Sequence, residues 1–158
     1  MPSVLIVCTA NICRSPMAEV ILKKLVANQP DAAEWHIESA GTWAIDGISA
    51  AVMSQQVMQS MGMDISSHHS QRVSKKLIRK FDLILTMERN HKEALMVEFA
   101  EFAGRIHMIT EIIGSEYDVN DPIGGELADY QETAQELEHI LSTGLARIIQ
   151  LVNPSKES

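Results

Sequence analysis

Hydrophobic positions along this chain alternate between two periodicities, which predicts alternating strands and helices. Short apolar runs typical of strands lie at residues 4–7, 35–39, 81–87 and 105–109. Apolar residues spaced three or four apart follow each run and predict helices over residues 17–28, 50–61, 89–103 and 127–151. Shorter helical turns are predicted over 74–80 and 110–113. Strands that alternate with crossover helices favour an α/β fold with a parallel sheet.

This order of elements fits a single flavodoxin-like domain of three layers, a four-stranded parallel sheet with helices on both faces. We predict that residues 1–158 form this one domain and that residues 153–158 are a frayed tail. In the second helix, Met53, Val57 and Met61 are predicted to face inward, with Val52 at the border of that face. The last helix is predicted to be continuous, and the one long loop, residues 114–125, precedes it.

Composition restricts the classes of partner and compartment. The net charge of −8 argues against nucleic acid or an anionic membrane as the main partner. The N-terminus has no basic region, and no apolar stretch approaches the length of a transmembrane helix, so a cytoplasmic location is expected. The two cysteines, Cys8 and Cys13, lie close together and cannot form a framework of structural disulfides.

The candidate chemistry lies between the first strand and the first helix. Cys8 follows the apolar run, Arg14 comes six residues later, and Ser15-Pro16 opens a helix in which Ser15 is a candidate cap. A loop of this length can direct its backbone N–H groups at one point and bind an oxyanion such as phosphate. The Arg14 guanidinium would add a planar fork for two phosphate oxygens. This environment favours the thiolate of Cys8, which would then be a nucleophile aimed at phosphorus.

A cysteine that ends a core strand is often only a small buried hydrophobic residue. Here, however, the segment CTANICRSP resembles the signature of the low-molecular-weight protein tyrosine phosphatases, Cys-x5-Arg-Ser-Pro with Asn and Ile-Cys inside. The matching residues are Cys8, Asn11, Ile12, Cys13, Arg14, Ser15 and Pro16. The resemblance implies a metal-independent phosphatase without cofactors that hydrolyses phosphotyrosine through a phosphocysteine. It extends over most of the chain, from Val4 to about Ile149.

The resemblance also assigns catalytic roles. Cys8 is the expected nucleophile and Arg14 the expected phosphate ligand. Asp121, in the Asp-Pro of the long loop, is the expected general acid, which then activates water as a base. Ser15 can either cap the helix or donate to the Cys8 sulfur, and the family uses its hydroxyl for the second purpose.

Further residues are expected to build the phosphate-binding loop and support it. The expected loop consists of Thr9, Ala10, Asn11, Ile12, Cys13 and Arg14. The resemblance implies that Asn11 is hydrogen-bonded to Ser39 and His68, whereas the adjacent His69 is expected to be an ordinary solvated residue. Cys13 is either a core residue or a redox guard that traps oxidised Cys8 as a disulfide. The family usually has glycine where this chain has Ala10, so Ala10 is strained if that position needs a positive φ.

The expected substrate rim is Ile12, Trp43 and Ile123, although Trp43 can equally cover the edge of the core. Asp121-Pro122-Ile123-Gly124-Gly125 is similar to bacterial relatives that act on phosphoarginine. Those relatives tend to carry Thr at the position of Ile12, whose apolar side chain suits a flat phenyl better than a guanidinium. Phosphotyrosine-containing proteins, with a bacterial tyrosine kinase as one example, are therefore the expected partners, and a protein-arginine phosphatase is the alternative.

Other classes explain the sequence less well. Arsenate reductases with this fold need further cysteines, and none follows Cys13. A nucleotide-binding flavodoxin-like protein would lack the pair of Cys8 and Arg14. A non-catalytic phosphoprotein-binding module would lack Cys8 or Asp121, yet both are present. No spacing of His, Cys or carboxylates supports a metal site.

Overall fold

The computed structural model describes residues 1–153, so the predicted frayed tail lies outside the described residues except for Asn153. Four strands form the sheet: Ser3–Cys8 (β1), His36–Gly41 (β2), Leu83–Thr86 (β3) and Ile106–Met108 (β4). The helices are Arg14–Val26 (α1), Val52–Ser60 (α2), Lys75–Ile78 (α3), Arg89–Glu98 (α4), Leu127–Thr143 (α5) and Leu145–Val152 (α6). Short 3₁₀ segments lie at Ala32–Glu34, Ala100–Arg105 and Ile109–Ile113.

The strands are all parallel and lie in the order β2-β1-β3-β4. The predicted parallel α/β sheet is therefore confirmed, with β1 in its interior. One face, which includes Val4 and Ile6 of β1, packs against α1, α2, α5 and α6. The other face, which includes Leu5 and Val7, packs against α3, α4 and the 3₁₀ segment that follows α4. Because β1 is buried on both faces, its carboxyl end, where Cys8 lies, is fixed in the centre of the molecule.

The inward face predicted for α2 is only partly correct, since Val57 is buried and Met61 packs against the core but Met53 does not. The structure buries Ser54, Val57 and Met58, whereas Met53 is 36% exposed. The helix contacts both α1 and α5, and the Ser54 hydroxyl lies 3.5 Å from the carbonyl oxygen of Cys13. The side of α2 that meets the phosphate loop is therefore the side that must be buried, and this contact was not visible in the hydrophobic pattern.

The continuous last helix is also wrong, because Gly144 separates α5 from α6. A Cβ atom on Gly144 would collide with the side chain of Ile112, which packs against this point of the chain. The helix predicted over 89–103 likewise ends at Glu98 and continues as the 3₁₀ segment. None of the helices within residues 1–153 combines the length and the apolar character that crossing a bilayer would require.

Candidate active site

Cys8 is the last residue of β1, and its thiol is surrounded by hydrogen-bond donors. Its side chain is buried, with 2% of the residue exposed. The Ser15 Oγ lies 2.9 Å from the Cys8 Sγ, and the backbone N–H of Asn11 points at the same sulfur from 3.3 Å. Donors directed at a sulfur atom stabilise negative charge on it. The loop thus places Cys8 where a thiolate is stabilised.

Of the two uses left open for Ser15, capping of α1 is not the one that the structure shows. The helix begins at Arg14, and no side chain caps it at Cys13. Ser15 lies in the first turn, where its Oγ accepts a hydrogen bond from Asn11 Nδ2 at 2.7 Å. Because this bond occupies a lone pair of Oγ, the hydroxyl proton is available to donate to the sulfur of Cys8.

Asn11 is the centre of the loop's internal hydrogen bonds. Its Nδ2 also donates to Ser39 Oγ at 3.0 Å, its Oδ1 accepts from Gln71 N at 2.9 Å, and its carbonyl oxygen lies 2.8 Å from His68 Nε2. The structure therefore brings together the three residues expected to support the loop. The condition for strain at Ala10 is not met, since among the described non-glycine residues only Asn11, at φ 60°, has a positive φ. Asparagine tolerates this conformation better than most residues.

Gly41, at the end of β2, allows the phosphate loop to approach the sheet closely. The backbone N–H groups of Thr42 and Trp43 donate to the carbonyl oxygens of Cys8 and Thr9 at 3.0 and 2.9 Å. A Cβ atom on Gly41 would collide with the Thr9 carbonyl oxygen and would lie 3.0 Å from the Asn11 nitrogen. Both neighbours are backbone atoms, so the loop itself would have to move.

We expect Gly41→Ala to lower the free energy of unfolding by about 2 kcal/mol, because it overpacks a rigid contact. Binding of inorganic phosphate should weaken at the same time, since the displaced atoms belong to the loop. Urea unfolding and calorimetric titration with phosphate would measure the two effects. Gly104→Ala is the matched control, because a Cβ atom there meets nothing within 4 Å. Equal stability of the two variants would contradict the prediction.

Arg14 is held as a fork by Thr9 of its own loop and by groups from two other segments. The residue is 1% exposed. Its Nη1 donates to Glu88 Oε2 and to the Val119 carbonyl oxygen, both at 2.7 Å. Its Nη2 donates to Thr9 Oγ1 at 3.3 Å and to Asp121 Oδ2 at 3.4 Å. The guanidinium is therefore aligned and partly neutralised by two carboxylates.

Asp121 lies in a loop that is tied to the carboxyl end of β3. The Val119 N–H donates to the Met87 carbonyl oxygen at 2.9 Å, and Asp118 Oδ1 accepts from the Arg89 N–H at 2.8 Å. Asp121 Oδ1 accepts from the Ile123 N–H at 3.1 Å, and a third of the Asp121 side chain is exposed. These bonds bring a carboxylate that solvent can reach next to Arg14.

The three expected rim residues differ in their exposure. Trp43 is 75% exposed, and the Arg72 guanidinium lies 5.6 Å from the centre of its ring. Ile123 is 56% exposed, in the loop that carries Asp121. Ile12 is half-buried against the core, and its carbonyl oxygen accepts from the Ala51 N–H at 2.8 Å. Trp43 is not a cover for the core edge, because most of its surface faces solvent.

The sequence model of one family, described as low molecular weight phosphotyrosine protein phosphatase, matches residues 3–153. This chain belongs to that family. It is 36% identical over 135 residues to the low-molecular-weight protein-tyrosine-phosphatase PtpB of Staphylococcus haemolyticus. The aligned region covers 85% of this chain and 91% of the relative. It is 30% identical over 139 residues to a protein-arginine-phosphatase of Bacillus subtilis, covering 87% and 91% of the two chains.

Among solved structures, a low-molecular-weight protein tyrosine phosphatase from T. tengcongensis superposes with a TM-score of 0.87 at 35% identity. The match covers 93% of this chain and 99% of that one. The fold and the expected family are therefore confirmed, and the chain is a phosphatase.

Cys13, the second thiol of this phosphatase, belongs to the phosphate loop by sequence, but its side chain is buried in the core. The residue is 4% exposed, and its Sγ lies 3.8 Å from the hydroxyl of Tyr130 on α5. Burial raises the pKa of Cys13 to about 11, and burial together with this contact raises the pKa of Tyr130 to about 12. Both groups are consequently protonated near neutral pH. Cys8 and Cys13 are both free thiols, and the redox guard stays a prediction.

Sequence reasoning missed several groups of the site. The Gln71 N–H and the Val119 carbonyl oxygen are backbone groups, which carry no side-chain signal. The pairing of Glu88 with Arg14 depends on how β3 ends, which no local pattern shows. His91 was missed because a lone histidine in a helix has no distinctive spacing. Within residues 1–153, no group of three His, Cys, Asp or Glu side chains is arranged to hold a metal ion.

Proposed function

We propose that this phosphatase hydrolyses phosphotyrosine in proteins through a phosphocysteine on Cys8. The thiolate attacks phosphorus, an S–P bond forms and the ester O–P bond breaks, while protonated Asp121 gives its proton to the departing phenolate. A water molecule then attacks the phosphocysteine, loses a proton to the Asp121 carboxylate and releases phosphate and the Cys8 thiolate. Arg14 and the loop N–H groups stabilise the charge on the transferred phosphoryl oxygens.

One observation carries this proposal. The Cys8 sulfur receives the Ser15 hydroxyl at 2.9 Å and the Asn11 N–H at 3.3 Å, at the N-terminus of α1, and Arg14 reaches from the same loop to Asp121. The proposed nucleophile, anion ligand and proton donor are thus all side chains of this one site. A module that only bound phosphoproteins would have no use for a cysteine with donors directed at its sulfur or for an accessible carboxylate at the phosphate ligand.

The choice of phosphotyrosine over phosphoarginine depends on Ile12. Its branched apolar side chain can contact a phenyl ring but offers no hydrogen bond to a guanidinium. A protein-arginine phosphatase is the second candidate, because one relative carries that activity in its name and because the loop after Asp121 contains Gly124 and Gly125. Gly124 has a φ of 82°, a conformation that favours glycine.

The two substrates can be compared directly. We would measure turnover of a phosphotyrosine peptide and a phosphoarginine peptide by the wild-type chain and by Ile12→Thr, with EDTA present and Cys8→Ser as the inactive control. Faster turnover of phosphotyrosine by the wild type, with a ratio that moves towards phosphoarginine in Ile12→Thr, would support the proposal. Faster turnover of phosphoarginine by the wild type would favour the second candidate. If neither peptide is turned over in a Cys8-dependent way, both candidate substrates are wrong.

Asp121→Asn should lower kcat for phosphotyrosine by about 100-fold, because an amide cannot protonate the leaving oxygen. The loss should be much smaller for 4-nitrophenyl phosphate, whose leaving group needs little protonation. Asp118→Asn, in the same loop but bonded to the Arg89 N–H, tests whether the loop's position alone explains the loss. Equal losses for both substrates would argue against proton donation by Asp121.

The proposal extends to partners, location and domain organisation. We propose phosphotyrosine-containing proteins as substrates and a bacterial tyrosine kinase as the first one to test, since PtpB of Staphylococcus haemolyticus is named a protein-tyrosine-phosphatase. We also propose that residues 1–158 act as one phosphatase domain in the cytoplasm. The net charge of −8 disfavours nucleic acid and anionic membranes as partners.

A further inference from the structure

His91 is a buried histidine that the chemistry above does not use, yet it touches the phosphate loop. It lies in the first turn of α4 and is 4% exposed. Its Nε2 lies 2.8 Å from Thr9 Oγ1 and 3.5 Å from Glu88 Oε2. Thr9 belongs to the loop, and Glu88 ends the turn between β3 and α4. The imidazole therefore contacts two segments of the active site at once.

The structure indicates which form of the imidazole is present. Burial lowers the pKa of His91, and the positive charge of Arg14 acts in the same direction, while Glu88, Asp118 and Asp121 oppose it. The ring is thus neutral near pH 7. No described residue is a partner for Nδ1. Because a buried lone pair without a partner is less costly than a buried N–H without one, the proton belongs on Nε2, where Thr9 Oγ1 accepts it.

Thr9 and Glu88 are the groups that hold the two ends of the Arg14 fork. Thr9 Oγ1 accepts from Nη2 at 3.3 Å, and Glu88 Oε2 accepts from Nη1 at 2.7 Å. We propose that His91 is a positioning residue for Arg14. The Nε2–H of His91 fixes the Thr9 hydroxyl, and its ring packs beside the Glu88 carboxylate. This inference rests on the proposed function only in that the fork receives the phosphate.

A purely structural role explains His91 poorly. Its buried Nδ1 lacks a partner among the described residues, which costs stability relative to an apolar side chain of similar size. An aliphatic residue would fill this place in α4 without that cost. If His91 positions Arg14, its removal should weaken phosphate binding without lowering stability, and a structural role predicts the reverse.

The test measures binding of inorganic phosphate to the full chain by calorimetry, together with Tm in phosphate-free buffer. His91→Leu should raise the Kd for phosphate about tenfold, as expected for the loss of a buried hydrogen bond that aligns a charged group, and should leave Tm unchanged or higher. His91→Gln should stay within about threefold of the wild type, because its amide N–H can occupy the place of Nε2–H. His139→Gln, at an exposed position of α5, is the matched control.

A double-mutant cycle with Thr9→Val tests whether His91 acts through Thr9. If it does, the double variant Thr9→Val/His91→Leu should bind phosphate about tenfold more weakly than the wild type, as each single variant does. Independent effects, about 100-fold in the double variant, would overturn the proposal. An unchanged Kd in His91→Leu, or a lowered Tm with an unchanged Kd, would overturn it as well.

These binding measurements separate the inference from the proposed function. Suppose that phosphate binding depends on His91 but the chain hydrolyses neither phosphopeptide. This result would support the inference and contradict the proposed function. Turnover of phosphotyrosine with a Kd that is indifferent to His91 would do the opposite. A wild-type chain that does not bind inorganic phosphate would overturn both.

Discussion

Replacing Cys8 by serine should lower kcat for a phosphotyrosine peptide by on the order of 10⁵-fold, the scale seen when an enzyme loses its nucleophile. A hydroxyl is a far weaker nucleophile than a thiolate and needs a general base beside it. The groups that approach this atom are the Ser15 hydroxyl and the Asn11 N–H, which donate hydrogen bonds and do not accept the proton. Serine would therefore occupy the same space without being activated.

The same substitution should leave phosphate binding no weaker than in the wild type. The loop N–H groups and Arg14 remain in place, and serine cannot carry the negative charge with which a thiolate would repel the phosphate dianion. Single-turnover kinetics and calorimetric titration with inorganic phosphate would measure both quantities on the same preparation. Turnover that survived in Cys8→Ser would mean that the nucleophile is another group or a water molecule. Loss of phosphate binding along with turnover would instead indicate a damaged loop.

Arg14→Lys should lower kcat/KM by roughly 1,000-fold, although the positive charge is kept. The two ends of the guanidinium contact Glu88, the Val119 carbonyl oxygen, Thr9 and Asp121 simultaneously. A lysine ammonium is a single point charge that cannot bridge these acceptors and also present two parallel donors to phosphate. The reacting phosphoryl group would lose its alignment as well as part of its charge stabilisation.

Arg147→Lys is the matched control for this prediction, because Arg147 is exposed on α6 and bonds only to Gln150 among the described residues. Steady-state kinetics on a phosphotyrosine peptide and urea unfolding would be measured on both variants. We expect Arg14→Lys also to be less stable, since Glu88 and Asp121 would lose the fork that pairs with both of them. A lysine variant that retained most of kcat/KM would show that charge alone, without the planar fork, is sufficient.

The pairing of Arg14 with two carboxylates has a consequence for substrate entry. Glu88 and Asp121 partly neutralise the only guanidinium of the loop, at 2.7 and 3.4 Å respectively. An arriving phosphate dianion must compete with Asp121 for Nη2, and protonation of Asp121 weakens that competitor. The protonated form that the proposed general-acid role of Asp121 requires would therefore also be the form that releases Arg14 for phosphate binding.

The alternation of strands and helices and the location of the chemistry could both be predicted from the amino-acid sequence. Both are local properties, since the period of apolar residues and the spacing from Cys8 to Arg14 can be read along a short stretch. The parallel sheet, the strand-loop-helix unit around Cys8 and the family were predictable for this reason. The sequence allowed the Ser15 hydroxyl either to cap the helix or to donate to the Cys8 sulfur. The hydrogen bond from Asn11 Nδ2 to Ser15 Oγ, seen in the structure, favours the second use.

The features that depend on contacts between distant segments could be found only in the folded structure. The buried face of α2 follows from its packing against α1, α5 and the Cys13 carbonyl oxygen, and the break at Gly144 follows from the position of Ile112. The positive φ falls on Asn11 and not on Ala10, because hydrogen bonds with Ser39, His68 and Gln71 hold Asn11 in that conformation. Such contacts are absent from any local pattern, since they join residues far apart in the chain. The contact of His91 with Thr9 is another example, because 82 positions separate the two residues.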